Sequence, residues 1–175
     1  IGANQCNVPV EMIESSYPLR IDSYGLVPDT GGPGMYRGGL SLVREYRILA
    51  ETAELNVRSD KRRRPPHGLF GGKEGTPSWN IINPGTDDRV LPVLLMAPER
   101  LRGGDVFRHV MSGAGGYGNP LERDPEHVLD DAIAEKVSIE RAAADYGVVI
   151  EAGEPPTLDA AATTRLREEM SANGG

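Results

Sequence analysis

A glycine-rich segment at residues 113–118 is the feature that most limits how this chain of 175 residues can fold. It holds four glycines around one aromatic residue, Tyr117, and it follows the strand-like run DVFRHVM. Glycine loses more backbone entropy on folding than any other residue, so such a cluster predicts positive φ angles or close backbone approach. The segment is therefore expected to be either a strained structural turn or a wall against which a ligand lies.

Composition predicts a folded, loop-rich chain and argues against several partners. The 22 glycines, 14 prolines and 38% hydrophobic residues are typical of one turn-rich domain. A net charge of −7 argues against nucleic acid, because phosphate binding needs a basic face. No apolar run approaches the roughly 18 residues of a membrane helix, so no membrane partner is expected. Cys6 is the single cysteine, which excludes an internal disulfide and predicts a cytoplasmic location.

Hydrophobic periodicity predicts an α+β fold: a β-rich glycine-loop core of mainly antiparallel or mixed strands, followed by C-terminal helices. Two of the strands are expected to form a hairpin, 40–50 with 53–61, because the break at Glu51-Thr52 is short. The run 89–97 is nearly all apolar and predicts a strand buried on both faces, with Pro92 at an edge or bulge. The remaining predicted elements are a short helix at 8–16 and strands at 19–27, 78–84 and 102–113.

Capping signals predict the helices that follow residue 123. Asp124 is an N-cap with Pro125 in the first turn, and Ser138 caps a second helix that Gly147 closes. A short strand is expected at 148–150 and an exposed helix at 158–170. The carboxylates on these helices are interpreted as a solvated face: Asp130, Asp131 and Glu135.

The letters of residues 113–118 match a dinucleotide fingerprint, but the context does not. That fingerprint requires a helix to open directly after the loop, whereas the next helix begins only near Asp124.

His127 is expected to be solvated, and no histidine pair has metal-ligand spacing. His67 and His109 each stand beside a glycine cluster, so each is either a satisfied polar group or a catalytic one. Arg37, in the turn MYRGG, is a candidate anion-binding residue because glycines expose backbone N–H groups beside it.

Three glycine-containing blocks, in order, resemble the C-terminal third of the hydantoinase B family, with a likeness over about residues 4–150. The matching residues are Tyr36 to Gly39, Gly68 with Gly71 and Gly72, Gly104 with Asp105, and residues 113–118 with Pro120. The family usually has GGGGYGDP where this chain has GAGGYGNP, so Ala114 and Asn119 are departures. If the loop packs tightly, Ala114 must have a negative φ.

The resemblance implies an ATP-dependent hydrolase that opens a cyclic amide of the hydantoin or 5-oxoproline type. It implies a hydantoinase A-like ATP-binding subunit or domain as partner, which carries ATP and Mg, and a small-molecule substrate. No cofactor and no metal ligand are expected on this chain itself. The acetone-carboxylase large subunit is the alternative within the same family, and a non-catalytic assembly module, with glycine loops that only let backbones pack, is the other alternative.

The resemblance also implies the organisation of the chain and its site. Residues 1–150 are expected to be the C-terminal segment of a hydantoinase B-like domain, 151–156 a linker, and 157–175 a terminal helix and tail. The start at Ile1 suggests a fragment that lacks the N-terminal part of the B subunit and is inactive alone. The catalytic residue is unknown, with His109 the candidate. The expected substrate-binding residues are Arg37, His67, Gly71, Gly72, Gly113, Gly115, Gly116, Tyr117 and Gly118.

Overall fold

The computed structural model describes residues 7–173, so the interpretation of Cys6 lies outside the described residues. The chain divides into two compact units. The first contains the described residues up to Gly25 together with Val43–Asp60 and Trp79–Val110. The second contains Leu26–Leu42, Lys61–Ser78 and the chain from Met111 onward. Each unit is therefore assembled from three separate stretches of sequence.

The first unit contains a short helix and most of the strands. Helix α1 (Val10–Ser16) and strand β1 (Leu19–Val27) match the predicted elements, and β1 alternates half-buried and exposed side chains along its length. The other strands are β2 (Ser41–Ile48), β3 (Thr52–Leu55), β4 (Trp79–Ile82), β5 (Arg89–Val90), β6 (Glu99–Arg102) and β7 (Val106–Val110). One sheet has the order β1-β2-β7-β4-β5, and β3 pairs with β6.

The predicted hairpin between β2 and β3 is wrong. β2 pairs antiparallel with β7, where Arg47 faces Val106, and β3 pairs antiparallel with β6, where Thr52 faces Arg102. Four residues, 48–51, thus stand opposite three, 103–105. That count is typical of a β-bulge, which bends a ribbon without reversing it. The break that predicted a hairpin is therefore a bend, and both strands continue along one long ribbon.

The run 89–97 is not a strand buried on both faces, which corrects the sequence prediction. Only β5 is strand, at the edge of the sheet, and both of its residues are exposed. Leu91 is buried, but Leu94 is exposed and Met96 is 94% exposed. The side chains alternate between core and solvent, and Pro92 has no N–H to donate to a ladder. Pro92, predicted at an edge or bulge, lies two residues beyond β5, the edge strand.

Side chains from six segments form the core of the first unit. Its fully buried members are Ile82 and Leu101, which lie on β4 and β6. Tyr46 packs against this cluster, and its ring lies 6.4 Å from that of Phe107. The buried members of the cluster are Ile48, Val57, Ile82, Leu91, Leu101 and Phe107.

The second unit carries the remaining helices where the capping signals predict them. The Asp124 carboxylate accepts a 3.0 Å hydrogen bond from the first turn of α2, which begins at Pro125. Ser138 caps α3, and Gly147, with φ 62°, ends it. The elements of this part are a 3-10 turn (Pro120–Glu122), α2 (Pro125–Ile133), α3 (Ile139–Tyr146), β8 (Ile150–Glu151), β9 (Thr157–Leu158) and α4 (Ala160–Asn173).

Residues 152–156 connect β8 to β9, which pair antiparallel with Ile150 opposite Leu158. Most of α4 is exposed, but Thr163 is buried and its hydroxyl accepts a 3.0 Å hydrogen bond from the Val149 N–H. Arg167 of the same helix donates to the Tyr146 carbonyl at 3.1 Å and to the Arg123 carbonyl at 2.7 Å, so α4 is held by several polar contacts on its inner side. The division into a domain, a linker and a tail stays a prediction.

Antiparallel strands and a mainly C-terminal set of helices confirm the predicted α+β class. None of the helices in the described part of the chain has the length and apolar character needed to cross a bilayer.

Candidate functional site

Three glycine-rich segments of the second unit interlock and are called the glycine core: residues 30–39, 67–76 and 113–118. Backbone hydrogen bonds join all three. The Gly32 N–H donates to the Ala114 carbonyl at 2.8 Å, the Lys73 N–H to the Pro33 carbonyl at 2.7 Å, and the Gly116 N–H to the Lys73 carbonyl at 3.0 Å. These bonds satisfy backbone groups that lie outside helices and long strands.

The glycines of this core have backbone where other residues have side chains. A Cβ added to Gly113 would overlap the Thr30 carbonyl oxygen, and one added to Gly116 would overlap that of Pro33. At Gly115 the obstacle is the carbonyl oxygen of His67. The close approach that the sequence predicts is therefore found, and here it joins backbone to backbone. Whether a ligand also lies against these loops stays a prediction.

Two of the predicted glycines adopt the left-handed conformation. Gly71 has φ 92° and Gly118 has φ 74°, a region that residues with a side chain rarely occupy. Ala114 does not have a positive φ, as tight packing of the loop required. Asn119, the other departure from the family pattern, accepts a 3.0 Å hydrogen bond from the Leu121 N–H and caps the 3-10 turn. The amide oxygen therefore performs the capping role that an aspartate carboxylate could fill.

Arg37 lies in a buried ionic cluster centred on Asp131, which is 6% exposed. The carboxylate accepts from Arg37 Nε at 2.9 Å and from Arg123 Nη2 at 2.8 Å, while Lys136 Nζ is 3.8 Å away. Burial alone would raise the pKa of Asp131, but the Arg37 hydrogen bond and the surrounding positive charges outweigh it, so the pKa is lowered. Burial raises the pKa of Tyr146 nearby to about 12.

This cluster changes two predictions from the sequence. Asp131 is not part of a solvated face, because α2 turns it inward beside Val128, which precedes it by three residues. Asp130 is exposed, as predicted. All three guanidinium nitrogens of Arg37 donate within the protein, the third to the Gly38 carbonyl at 2.7 Å. The anion that Arg37 binds in this structure is therefore Asp131.

Three aromatic side chains, one from each segment of the glycine core, lie together on the surface. The Tyr117 ring centroid is 6.2 Å from that of Tyr36 and 5.1 Å from that of Phe70. Phe70 is 78% exposed, and both tyrosines are exposed as well. The backbones of Tyr36 and Tyr117 exchange two hydrogen bonds of 2.9 Å, which fixes the spacing of this pair.

In the first unit, His109 belongs to a polar row at one end of the sheet face that carries the core. The apolar row across three neighbouring strands is Tyr46, Phe107 and Ile82. Two residues further along each strand, the facing residues become Arg44, His109 and Asn80. This polar row is called the His109 row. Asn80 is fully buried, whereas Arg44 and His109 are half-buried.

Asn80 determines which nitrogen of His109 carries the proton. The Ser59 hydroxyl donates to the Val93 carbonyl at 3.3 Å, so its oxygen accepts from Asn80 Nδ2 at 2.8 Å. The Pro92 carbonyl, 3.4 Å from Nδ2, can only accept as well. Asn80 Oδ1 therefore faces His109 Nδ1 at 2.7 Å, and Nδ1 must be the donor.

When the His109 ring is neutral, its proton is therefore on Nδ1 and its lone pair is on Nε2. Burial lowers the pKa of His109, and the positive charge of Arg44 lowers it further. Within residues 7–173, Nε2 has no hydrogen-bond partner. A neutral imidazole in this tautomer can accept a proton or a hydrogen bond through Nε2.

The structure gathers nine of the ten predicted site residues in the second unit, whereas His109 lies in the first. The roles predicted for all ten stay predictions. His67 is exposed, and so is His127, as expected. In the part of the chain that the structure describes, no three His, Cys, Asp or Glu side chains converge as a metal site would require.

Sequence reasoning missed four residues that organise these sites. Asp131 had a usable signal, since it follows Val128 by three residues and so shares its helix face. Arg44 and Asn80 had none, because only long-range strand pairing brings them to His109. Arg123 reaches Asp131 across eight residues, from a loop whose conformation no local pattern predicts.

Two solved structures contain a segment with this fold. A nucleotide-free acetone carboxylase matches with a TM-score of 0.80 over 95% of this chain, and at 20% identity this shows a shared fold alone. The ATP-dependent caprolactamase from Pseudomonas jessenii matches with a TM-score of 0.78 and 32% identity over 91% of this chain. A segment of each of these two chains therefore shares the fold of this chain.

The chain belongs to the hydantoinase B/oxoprolinase family, whose model matches residues 1–120. A protein provisionally named as the B subunit of a D-/L-hydantoinase, from Pseudomonas sp. (strain NS671), is 35% identical over 95% of this chain. The chain spans 28% of the length of that protein, 28% of the caprolactamase chain and 26% of the acetone carboxylase chain. The family predicted from the glycine blocks is confirmed, and so is the limited share of it that this chain covers.

Proposed function

We propose that this chain is part of an ATP-dependent hydrolase that opens a cyclic amide of the hydantoin or 5-oxoproline type. The observation that carries the proposal is the 32% identity to an ATP-dependent caprolactamase across 91% of this chain. The proposed partners are an ATP-binding A-type subunit or domain and the part of a B subunit that this chain does not span. ATP and Mg are proposed to bind the A-type partner, and the reaction is proposed to be cytoplasmic.

The chemistry explains why such an enzyme needs ATP. An unstrained amide is a poor electrophile, and phosphorylation of its oxygen turns that oxygen into a leaving group. Water adds to the ring carbon, the ring C–N bond breaks with proton transfer to nitrogen, and a second water releases phosphate from the resulting acyl phosphate. Hydrogen-bond donors must meet the negative charge that develops on oxygen. His67 and Tyr117 keep accessible side-chain surface for such contacts, whereas His109 can accept a proton through Nε2.

Turnover by the complete B-type protein tests the proposal. The protein is mixed with an A-type partner, ATP and Mg²⁺, and then with hydantoin, 5-oxoproline or caprolactam in turn. We expect one of these compounds to stimulate ADP release at least tenfold, with ring-opened product formed in proportion to ADP. ADP release that no cyclic amide stimulates would contradict the proposal.

A carboxylase is the alternative, because an acetone carboxylase contains a segment with the same fold. Bicarbonate and acetone are therefore supplied in a parallel reaction. ATP consumption that requires both, with a carboxylated product, would select the carboxylase. His127→Gln, at an exposed position, is the control variant and should leave either activity unchanged.

A further inference from the structure

The His109 row contains a positive charge that no carboxylate neutralises. Arg44 is half-buried, and it is absent from every ion pair found among residues 7–173. Its Nη1 donates to the Tyr46 hydroxyl at 2.9 Å, and its guanidinium carbon lies 4.3 Å from the Tyr24 ring centroid. These partners of Arg44 are neutral, so its charge is available to an anion from outside.

The neighbour of this charge is a hydrogen-bond acceptor. Arg44 faces His109 in the strand register, and His109 Nδ1 is committed to Asn80 Oδ1 at 2.7 Å. Nε2 can therefore only accept while the ring is neutral. An oxyanion without a proton would be attracted by Arg44 but repelled by the Nε2 lone pair. An oxyanion that keeps an O–H satisfies both groups, with O⁻ on Arg44 and O–H donated to Nε2.

We propose that Arg44 and His109 form a binding site for an oxyanion that keeps one O–H at neutral pH, with Asn80 as the positioning residue. Hydrogen phosphate and hydrogencarbonate share this chemistry, whereas sulfate and nitrate do not. The site stands on contacts within the first unit and does not rest on the proposed function. The part that the site would play in a reaction does rest on the proposed function. Phosphate is the product of the proposed hydrolase, and hydrogencarbonate is the substrate of the carboxylase alternative.

The groups around His109 come from three strands. Arg44 faces it from β2 and is hydrogen-bonded to Tyr46 of the same strand, Asn80 faces it from β4, and the Phe107 ring on its own strand is stacked 6.4 Å away. Tyr24, from β1, lies beyond Arg44. Arg44 is the charged residue of this set, so acidification changes the site mainly through His109 itself.

Imidazole nitrogen NMR of the full 175-residue chain tests the site directly, since only three histidines give signals. At pH 7.5 we expect His109 as the Nδ1–H tautomer, and titration with phosphate should shift its signals while those of His67 and His127 stay constant. Phosphate should bind about tenfold more tightly than sulfate, the difference that one charge-assisted hydrogen bond makes. Equal binding of the two anions, or an Nε2–H tautomer, would overturn the proposal.

The same titration distinguishes the possible ligands. Nitrate is planar like hydrogencarbonate but has no O–H. Tighter binding of hydrogencarbonate than of nitrate would therefore again show that the site recognises the O–H. Tighter binding of phosphate than of hydrogencarbonate assigns a phosphate site, and the reverse order assigns a hydrogencarbonate site. Binding of neither would refute the inference without bearing on the cyclic-amide hydrolase, because no A-type partner or ATP is present in this experiment.

Two variants and a pH series complete the test. Arg44→Met should weaken phosphate binding at least tenfold, whereas Arg100→Met, the same change at an exposed position of the first unit, should not. Asn80→Leu removes the acceptor that holds the proton on His109 Nδ1, so it should reduce the preference for phosphate over sulfate. Should that variant fail to fold, the unmodified chain still decides: as pH falls through the lowered pKa of His109, Nε2 gains a proton and the preference should disappear. A preference that persists in the protonated state, or an equal loss in Arg100→Met, would contradict the site.

Discussion

The two units of this chain exclude water in different ways. In the first, side chains such as Ile82 and Leu101 fill a conventional apolar core. In the second, the glycine core has backbone packed on backbone, beside an ionic cluster around Asp131 and a separate apolar cluster on the helices. In the first unit, neighbouring side chains can therefore shift to accommodate a substitution, whereas the packed backbone of the glycine core cannot.

Removal of the buried carboxylate should have the largest effect. Asp131→Ala leaves Arg37 and Arg123 without their shared partner, and breaking a buried ion pair costs about 3–5 kcal/mol of unfolding free energy. The matched control is Asp130→Ala, one residue earlier on the exposed face, which should change stability by no more than about 0.5 kcal/mol. Urea unfolding followed by circular dichroism measures both. Similar losses for the two variants would contradict the role given to Asp131.

Acidification tests the same buried carboxylate in the unmodified chain. The folded-state pKa of Asp131 is lowered, so its contribution to stability is complete above its unfolded pKa of about 3.9 and is lost as pH falls through the folded value. Unfolding free energies measured between pH 7 and pH 2 should therefore fall less steeply for Asp131→Asn than for the unmodified chain, and the difference should appear below about pH 4. Parallel curves over that range would show that the carboxylate is not held as the structure indicates.

A single methyl group added to the glycine core should cost about 3 kcal/mol. In Gly38→Ala the new Cβ would overlap the Ala114 carbonyl oxygen, and a backbone atom fixed by hydrogen bonds cannot move aside as a side chain can. Gly39→Ala is the adjacent control, since its Cβ would meet only the Ala114 Cβ at 3.9 Å. The same urea titrations separate the two. Comparable stabilities for Gly38→Ala and Gly39→Ala would show that the backbone contact is not tight.

Local signals predicted the local structure of this chain. Asp124 and Pro125 begin α2 as expected, and Gly147 ends α3, because a cap depends on neighbours only a few residues away. The pairing of β2 with β7 was not predicted, since the paired residues are 59 to 67 positions apart. The short break at Glu51 suits a hairpin equally well, and only the competing partner decides between them.

The candidate sites follow the same rule. The glycine pattern predicted close backbone approach, because few other reasons retain so many glycines together. It did not indicate what approaches, which proved to be other segments of the same core. His109 could be singled out from its place beside the loop. Its tautomer could not, because that depends on Asn80, Ser59 and two carbonyl groups, which long-range contacts bring together.

The smallest effect is expected where the first unit loses one methyl group. Ile82→Val at a side chain that is 1% exposed should cost about 1 kcal/mol, the transfer energy of the lost methyl group plus a small cavity term. Leu94→Val removes a similar volume from a side chain that is 48% exposed and should cost less than about 0.5 kcal/mol. Neighbouring side chains around Ile82 can shift into the space, which is the freedom that the glycine core lacks. An Ile82→Val loss as large as that of Gly38→Ala would mean that both units are packed equally rigidly, and the contrast between side-chain and backbone packing would not hold.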